Sequence, residues 1–377
     1  CQNKNCGDDG CGGSCGTCDN EEACYYNQNC GPTECDDSND VDWDGCTHGQ
    51  ITEWQVNVTE AAAQYVGLDA SGQGTYALAW GNWKEGKTAL RIFSTSGEEL
   101  FYDSNFIDWS SGSSPPALRF LDNGMVAVAV TQVNVGVRYR LLDVSIWEAS
   151  SVQNVATELN VEHFLNPAII PVDGGESILT WQRHDSNDLQ NIMARRLDSQ
   201  GISIGEGYLL NVSLPAQTYG LNRQCGFSTG PDQFIVYWGE LNSQFQEKKL
   251  TGRAFGTDGT PDGVQIYPLS DTTAEYLGDC AKLAAGGGRA LVMSVSPAST
   301  AAYMVLGADN SVVVSPTSLS HPDCEASWNS ETSVAALSDG GFAVAWASGD
   351  DRICVRRFNA QASPVGPPSV GNVLSTN

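Results

Sequence analysis

A weak repeat of 50 to 57 residues runs through most of this chain and narrows its fold more than any other feature. Its clearest copies are GQGTYALAWGNWKEGKTALRIFSTSGE, GGESILTWQRHDSNDLQNIMARRLDSQGISIG, PDQFIVYWGELNSQFQEKKLTGRAFGTDGTPDG and GGFAVAWASGDDRICVRRFNAQASPVG. Two degenerate copies are DNGMVAVAVTQVNVGVRYRLLDV and GGGRALVMSVSPASTAAYMVLGADNS. Each copy opens on a glycine or Asp-Gly turn. An alternating apolar strand follows, often ending in Trp. A polar loop then leads to a second alternating strand, and a turn of the form D-x-x-G closes the unit. The strand-ending positions are Trp80, Val130, Trp181, Trp238, Ser294 and Trp346, separated by 50, 51, 57, 56 and 52 residues.

Fifty-odd residues with about four short strands is the size of one β-propeller blade. A blade cannot bury both faces alone, so copies must stack around an axis. The fold class read from the chain is all-β, a propeller over residues 50–377 with six blades favoured. Five or seven stay open because the degenerate copies blur the count. A β-sandwich array is the competing architecture, but it gives no reason for so regular a period. ITEWQVNVT (51–59) and GNVLSTN (371–377) both resemble the strand that links copies. Either can complete a blade begun at the other end of the chain and so remove an exposed edge.

Residues 1–49 form a different unit. Nine of the thirteen cysteines fall within the first 46 residues: Cys1, Cys6, Cys11, Cys15, Cys18, Cys24, Cys30, Cys35 and Cys46. So many cysteines among glycines leave little apolar material for a core, which points to a module stapled by disulfides in an oxidising compartment. Zinc is the alternative for Cys15-Gly-Thr-Cys18 with His48 nearby. A redox role for the same pair would need a thioredoxin-like context that this region lacks. Cys1 is an unpaired remnant, a lipid-bearing N-terminus, or the partner of a cysteine upstream. Four cysteines lie in the repeats, and the expected pairs are Cys225 with Cys280 and Cys324 with Cys354. Spacing alone does not prove connectivity.

The formal charge is -26, of which residues 1–50 supply -10 through eleven acids and one lysine. Such a balance excludes the Lys/Arg stripes that bind nucleic acid. It fits a solvated extracellular surface or divalent-cation binding. No run approaches the roughly 18 apolar residues of a membrane span.

The clearest chemical motif is Asp40-Val-Asp42-Trp-Asp44-Gly45. Three carboxylates at alternate positions before a glycine match the first half of a calcium loop. Cys46 would offer its carbonyl at position seven. Ile51 stands where the bidentate acid belongs, and Glu53 substitutes only if the loop is longer. Calcium is the expected cofactor, with a merely acidic linker as the bland reading. Gly226-Phe-Ser228-Thr-Gly230 matches G-x-S-x-G but precedes a strand in an all-β repeat, so Ser228 reads as a turn residue. His48, His163, His184 and His321 show no metal-ligand spacing. The loop His184 to Asp188 reads as a solvated turn before a ligand site. The sequons at Asn57 and Asn211 carry little weight, and the repeat-ending tryptophans read as blade core.

The opening CQNKNCGDDGCGGSCGTC resembles a cysteine-rich element of secreted and surface proteins of myxobacteria and their relatives, C-x-G-K-x-C-G-D-D-G-C-G-G-S-C-G-x-C, with Asn3 in place of a glycine. DVDWDGCTHGQITEWQVN resembles the junction that follows it in such proteins. Residues 340–366 resemble bacterial surface repeats of the type GGF-VVVW…RF-x-x-x-G-x-P-x-G. The resemblance implies a secreted or surface-anchored bacterial protein and no particular activity.

The function expected from these readings is non-catalytic: adhesion, recognition or assembly outside the cell, with a protein or glycan partner. Self-association into a filament or coat would require a heterologous contact that does not close. The alternatives are a carbohydrate-active propeller enzyme and a calcium-dependent lectin. The enzyme would need two close carboxylates in a central pocket, one with a raised pKa. No acid recurs visibly at one blade position.

Overall fold

The computed structural model describes residues 63–371, apart from short stretches in the loops between strands, together with four short strands before them. Six antiparallel sheets follow one another along the chain, at residues 63–108, 117–156, 161–209, 222–269, 274–318 and 332–371. They are blades 1 to 6 of a β-propeller. Within each blade the strands pair in chain order, as a meander. In blade 2 the outer position is shared by two short pieces, Glu148–Ala149 and Gln153–Ala156, both paired with Gly136–Asp143.

Alternation decides which side chains enter the interfaces between blades. In the second strand of blade 2, Met125–Gln132, Ala127 and Ala129 pack toward blade 3, while Val126, Val128 and Val130 pack toward blade 1. A strand covered on both faces reads as a continuous apolar run, MVAVAV. Separate apolar cores of this kind join blades 1 to 2, 2 to 3, 3 to 4, 4 to 5 and 5 to 6. The repeat-ending Trp181, Trp238 and Trp346 are fully buried in them.

Blade 6 behaves differently. Its strand Phe342–Ala347 buries Phe342, Val344 and Trp346 against blade 5, while the alternate alanines stay half-buried. Among the described residues no apolar cluster joins blade 6 to blade 1. Val66 and Leu68 of blade 1 and Ile353 and Val355 of blade 6 are exposed. The terminal strands expected from sequence to complete the ring, 51–59 and 371–377, lie almost wholly outside the described residues.

Polar latches repeat between consecutive blades. The Tyr208 hydroxyl of blade 3 donates to the Thr257 carbonyl of blade 4 at 3.5 Å, Tyr237 of blade 4 to Asn310 Oδ1 of blade 5 at 2.8 Å, and Tyr303 of blade 5 to the Ala362 carbonyl of blade 6 at 3.1 Å. Tyr139 of blade 2 shares a hydrogen bond with Ser177 of blade 3 at 3.2 Å. The turns that receive these rings have four residues and end in the left-handed region. Gly201 and Gly259 stand there at φ 78° and 85°, and the rings of Tyr139 and Tyr208 occupy the space a Cβ would need. Glycine serves both requirements at once. One disulfide, Cys225–Cys280, joins the first strands of blades 4 and 5, and another, Cys324–Cys354, ties the segment before blade 6 to its third strand.

Candidate functional site

The first strand of every blade faces the propeller axis, and together these strands line an open cavity of about 250 Å³. Glycines let neighbouring first strands approach one another. A Cβ on Gly67 would lie 2.6 Å from the Pro116 carbonyl oxygen of blade 2, and one on Gly278 would run into the Thr332 side chain of blade 6. The cavity also reaches outward along blade 6, where Ala345, Trp346 and Ile353 line it.

Blade order sets the character of each wall. Blades 3 and 4 contribute the amides of Asn166 and Gln224 set among Pro167, Ala168, Ile169 and Cys225, and blade 6 contributes Thr332 and Ser333. In a six-bladed ring, blades 6 and 1 stand across the axis from blades 3 and 4. These contribute Val66, Leu68 and Ile353, exposed by 60%, 59% and 54%. Arg119 of blade 2 and Asp279 of blade 5 occupy the two remaining facing positions. The lining therefore mixes polar and apolar side chains, with Arg119 and Asp279 among them.

The two amides belong to a short network. Gln224 Nε2 donates to the Asn166 carbonyl, and Asn166 Nδ2 donates to Gln182 Oε1 at 3.0 Å. Asn166 holds the left-handed region at φ 48°, where the first strand of blade 3 loses register between Leu165 and Ala168. Asparagine is among the few non-glycine residues that adopt this region readily, which suits it to the bulge. Gln224 and Gln182 are both buried, and among the described residues Gln224 Oε1 and Gln182 Nε2 have no hydrogen-bond partner.

The acids beside the axis are engaged in holding blades together. Asp69 Oδ2 accepts the Phe120 N–H of blade 2 at 2.7 Å. Asp279 Oδ2 accepts the Ser333 hydroxyl at 2.8 Å and the Val334 N–H at 3.2 Å, both from blade 6, while its Oδ1 accepts the Cys280 N–H at 2.8 Å. Burial pushes the Asp69 carboxyl above its ordinary value. The Arg119 charge and the Phe120 and Ala70 N–H groups oppose that rise, and the Asp279 charge adds to it. Arg119 Nη1 donates to the Leu118 carbonyl at 3.1 Å.

Of the residues singled out in the sequence, Cys225 and Trp346 line this cavity. Asp40, Asp42, Asp44 and Glu53 lie outside the described residues, as do Cys1, Cys6, Cys11, Cys15, Cys18, Cys35, His48, Asn57 and Asp188. Cys46 begins a two-residue strand paired with Gln50–Ile51, and Cys24 and Cys30 are register partners in the hairpin of Glu22–Cys24 with Cys30–Pro32. Among the described residues no group of three His, Cys, Asp or Glu side chains is placed to hold a metal. Ser228 Oγ donates to the Gly230 carbonyl at 2.8 Å, the bond of a turn serine. Asn211 is buried, and its Oδ1 accepts the Ile192 N–H at 3.0 Å.

Comparison with solved structures returns the propeller. A lectin from Burkholderia pseudomallei aligns over 80% of this chain and 83% of its own, with a TM-score of 0.55 at 9% identity. The fucose-specific lectin from Aleuria aurantia aligns over 82% and 95%, with a TM-score of 0.54 at 9% identity. An ulvan-degrading polysaccharide lyase aligns over 78% and 80%, with a TM-score of 0.52 at 9% identity. At such identities the likeness is one of fold. No family model matches the chain, and no curated protein does.

Reasoning from sequence missed Asp69, Arg119, Asn166, Gln182, Gln224 and Asp279. All but Gln182 lie on first strands, which match the repeat grammar least well. The available signal was the glycine in Gly67-Leu-Asp69, Gly226 and Gly278-Asp279, because a glycine inside a strand marks close approach of another backbone.

Proposed function

We propose that this chain is a non-catalytic recognition protein that works outside the cell and binds glycan through its propeller. The observation that carries this reading is the engagement of Asp69 and Asp279. Each spends its carboxylate on backbone groups of the next blade, so neither stands ready as the acid or base of a hydrolase. Two disulfides within the repeats support an oxidising compartment. The likeness to lectins, one of them fucose-specific, supports a sugar as the partner. Purified chain is expected to be captured by a subset of immobilised glycans and to release no product from them over a day. Product release without stable capture would overturn the reading.

A catalytic reading has one observation in its favour. Asp69, raised by burial, feels a second carboxylate, Asp279, beside the axial cavity. It predicts turnover of a polysaccharide that Asp69→Asn and Asp279→Asn both abolish. The calcium-dependent reading rests on Asp40, Asp42 and Asp44, and predicts that a chelator ends glycan capture.

A further inference from the structure

One turn departs from the repeat that the other blades share. Between their third and fourth strands, blades 3 to 6 use a four-residue turn whose last position is left-handed, and Gly201, Gly259, Asn310 and Ala362 hold it. In blade 2 Asp143 pairs with Glu148, so the turn has five residues, 143–147, and its left-handed position carries Trp147 at φ 57°. A bulky side chain rarely adopts that region, and the backbone there is strained. Among the described tryptophans Trp147 alone is exposed, by 37%, and Ile146 before it is exposed by 60%. The turn is held firmly all the same. Asp143 Oδ1 accepts the Ser145 N–H at 2.9 Å and the Ser145 hydroxyl at 2.6 Å. The Phe101 ring of blade 1 stacks on the indole, with centroids 5.8 Å apart and planes 12° apart. That stack ties blades 1 and 2, but it occupies one face of the indole. It does not account for the strain, since Gly201 receives the Tyr139 ring at the same position of blade 3 without any. A strained, preorganised and exposed indole serves a ligand at low entropic cost. Two apolar side chains fall far short of the roughly 800 Å² per partner of a stable protein interface, and suit one pyranose ring. Glu148 follows directly, is exposed, and has no hydrogen-bond partner among the described residues, so its carboxylate is free to accept from a hydroxyl. Asp143 and Glu148 also disfavour an anionic ligand. We infer that blade 2 binds a neutral or amino sugar at this turn, its C–H face on Trp147 and a hydroxyl on Glu148.

This inference rests on the glycan reading above and names a site and sugar class that serve it. The test titrates the full chain with disaccharides of neutral hexoses, of glucosamine and of glucuronate. Binding is read by tryptophan fluorescence and calorimetry. Neutral and amino sugars are expected to bind and to shift the indole emission, and the glucuronate at least about tenfold more weakly. Trp147→Gly removes the ring and installs the residue that blades 3 and 4 use, so the melting temperature should stay within a few degrees. Affinity should fall at least about tenfold in that variant, whereas Trp147→Phe keeps an aromatic face and should retain most of it. Glu148→Gln should lift part of the discrimination against glucuronate. Should Trp147→Gly fail to fold, Glu148→Gln, at an exposed position, carries the test. Unchanged affinity in Trp147→Gly, unchanged discrimination in Glu148→Gln, or equal binding of glucuronate by the unaltered chain overturns the inference. Capture on immobilised glycans that survives Trp147→Gly would overturn this site and leave the recognition reading standing. Absence of all capture by the unaltered chain would overturn both.

Discussion

The Asp69 carboxylate on the first strand of blade 1 accepts the Phe120 N–H on the first strand of blade 2 at 2.7 Å. This bond ties neighbouring blades at the axis, yet it keeps a desolvated charge there. The two effects separate by substitution. Asp69→Ala leaves a half-buried N–H without its acceptor and should cost about 1–3 kcal/mol. Asp69→Asn keeps an acceptor and removes the charge, so it should match or exceed the unaltered chain at pH 7. The sign follows from the raised folded-state pKa. Protonation of Asp69 favours the fold, so its stabilising effect is complete below the ordinary carboxylate value of about 4 and is lost as pH rises through the folded value. The advantage of Asp69→Asn should therefore shrink as pH falls toward 4, which paired thermal melts would show.

Gly278 and Thr332 meet where blades 5 and 6 approach the axis. Gly278→Ala places a methyl into the Thr332 side chain and should destabilise the fold by about 1–3 kcal/mol, as overpacking does. Pairing it with Thr332→Ala should recover part of that loss in a denaturant titration. No recovery would show that the strain lies in the backbone.

The Tyr237 hydroxyl donates to Asn310 Oδ1, which also accepts from Arg289. Tyr237→Phe keeps the ring and leaves Asn310 partnered, so its cost should be about 1 kcal/mol. Burial raises the Tyr139 and Tyr237 phenols above the ordinary tyrosine value. The unfolded chain therefore ionises first, and stability that is complete below about pH 10 falls as pH rises above it. In an ultraviolet titration these two phenols should ionise only together with unfolding.

The disulfide Cys225–Cys280 spans 55 residues and Cys324–Cys354 spans 30. Closing the longer loop restricts the unfolded chain more. By chain entropy, replacing Cys225 and Cys280 with alanine should cost about 4 kcal/mol and replacing Cys324 and Cys354 about 3.5 kcal/mol. Intact-protein unfolding curves with and without reductant would check the order.

Calcium titrated into the full chain should bind through Asp40, Asp42 and Asp44, and Asp42→Asn with Asp44→Asn should abolish the heat of binding. Heat that persists in the double variant would place the cation elsewhere.

The propeller was legible because blade interfaces impose a period on the residues that fill them. Trp181, Trp238 and Trp346 recur where a bulky group must fill the space between blades, so each marks a blade as well as a strand. Val130 fills the same kind of position with a smaller side chain, which is why its copy looked degenerate. The axial site was not legible in this way. Asn166 and Gln224 face a shared space, and each answers to blades on either side of it. Nothing in the local pattern of blade 3 requires Asn166 to meet Gln224 of blade 4, 58 residues later.

Chain order by itself determined the architecture, a ring of alternating-strand units each unable to bury both faces without a neighbour, with six favoured and five or seven left open. Tertiary structure alone decided the rest. It brought Asn166 of blade 3 beside Gln224 of blade 4 and committed Asp69 and Asp279 to neighbouring blades. It also left the faces of blades 6 and 1 unlike the five packed interfaces. The reason is physical. Strand pattern is a property of adjacent residues, whereas the chemistry of a central cavity is set by side chains from six separate strands that meet only when the ring forms.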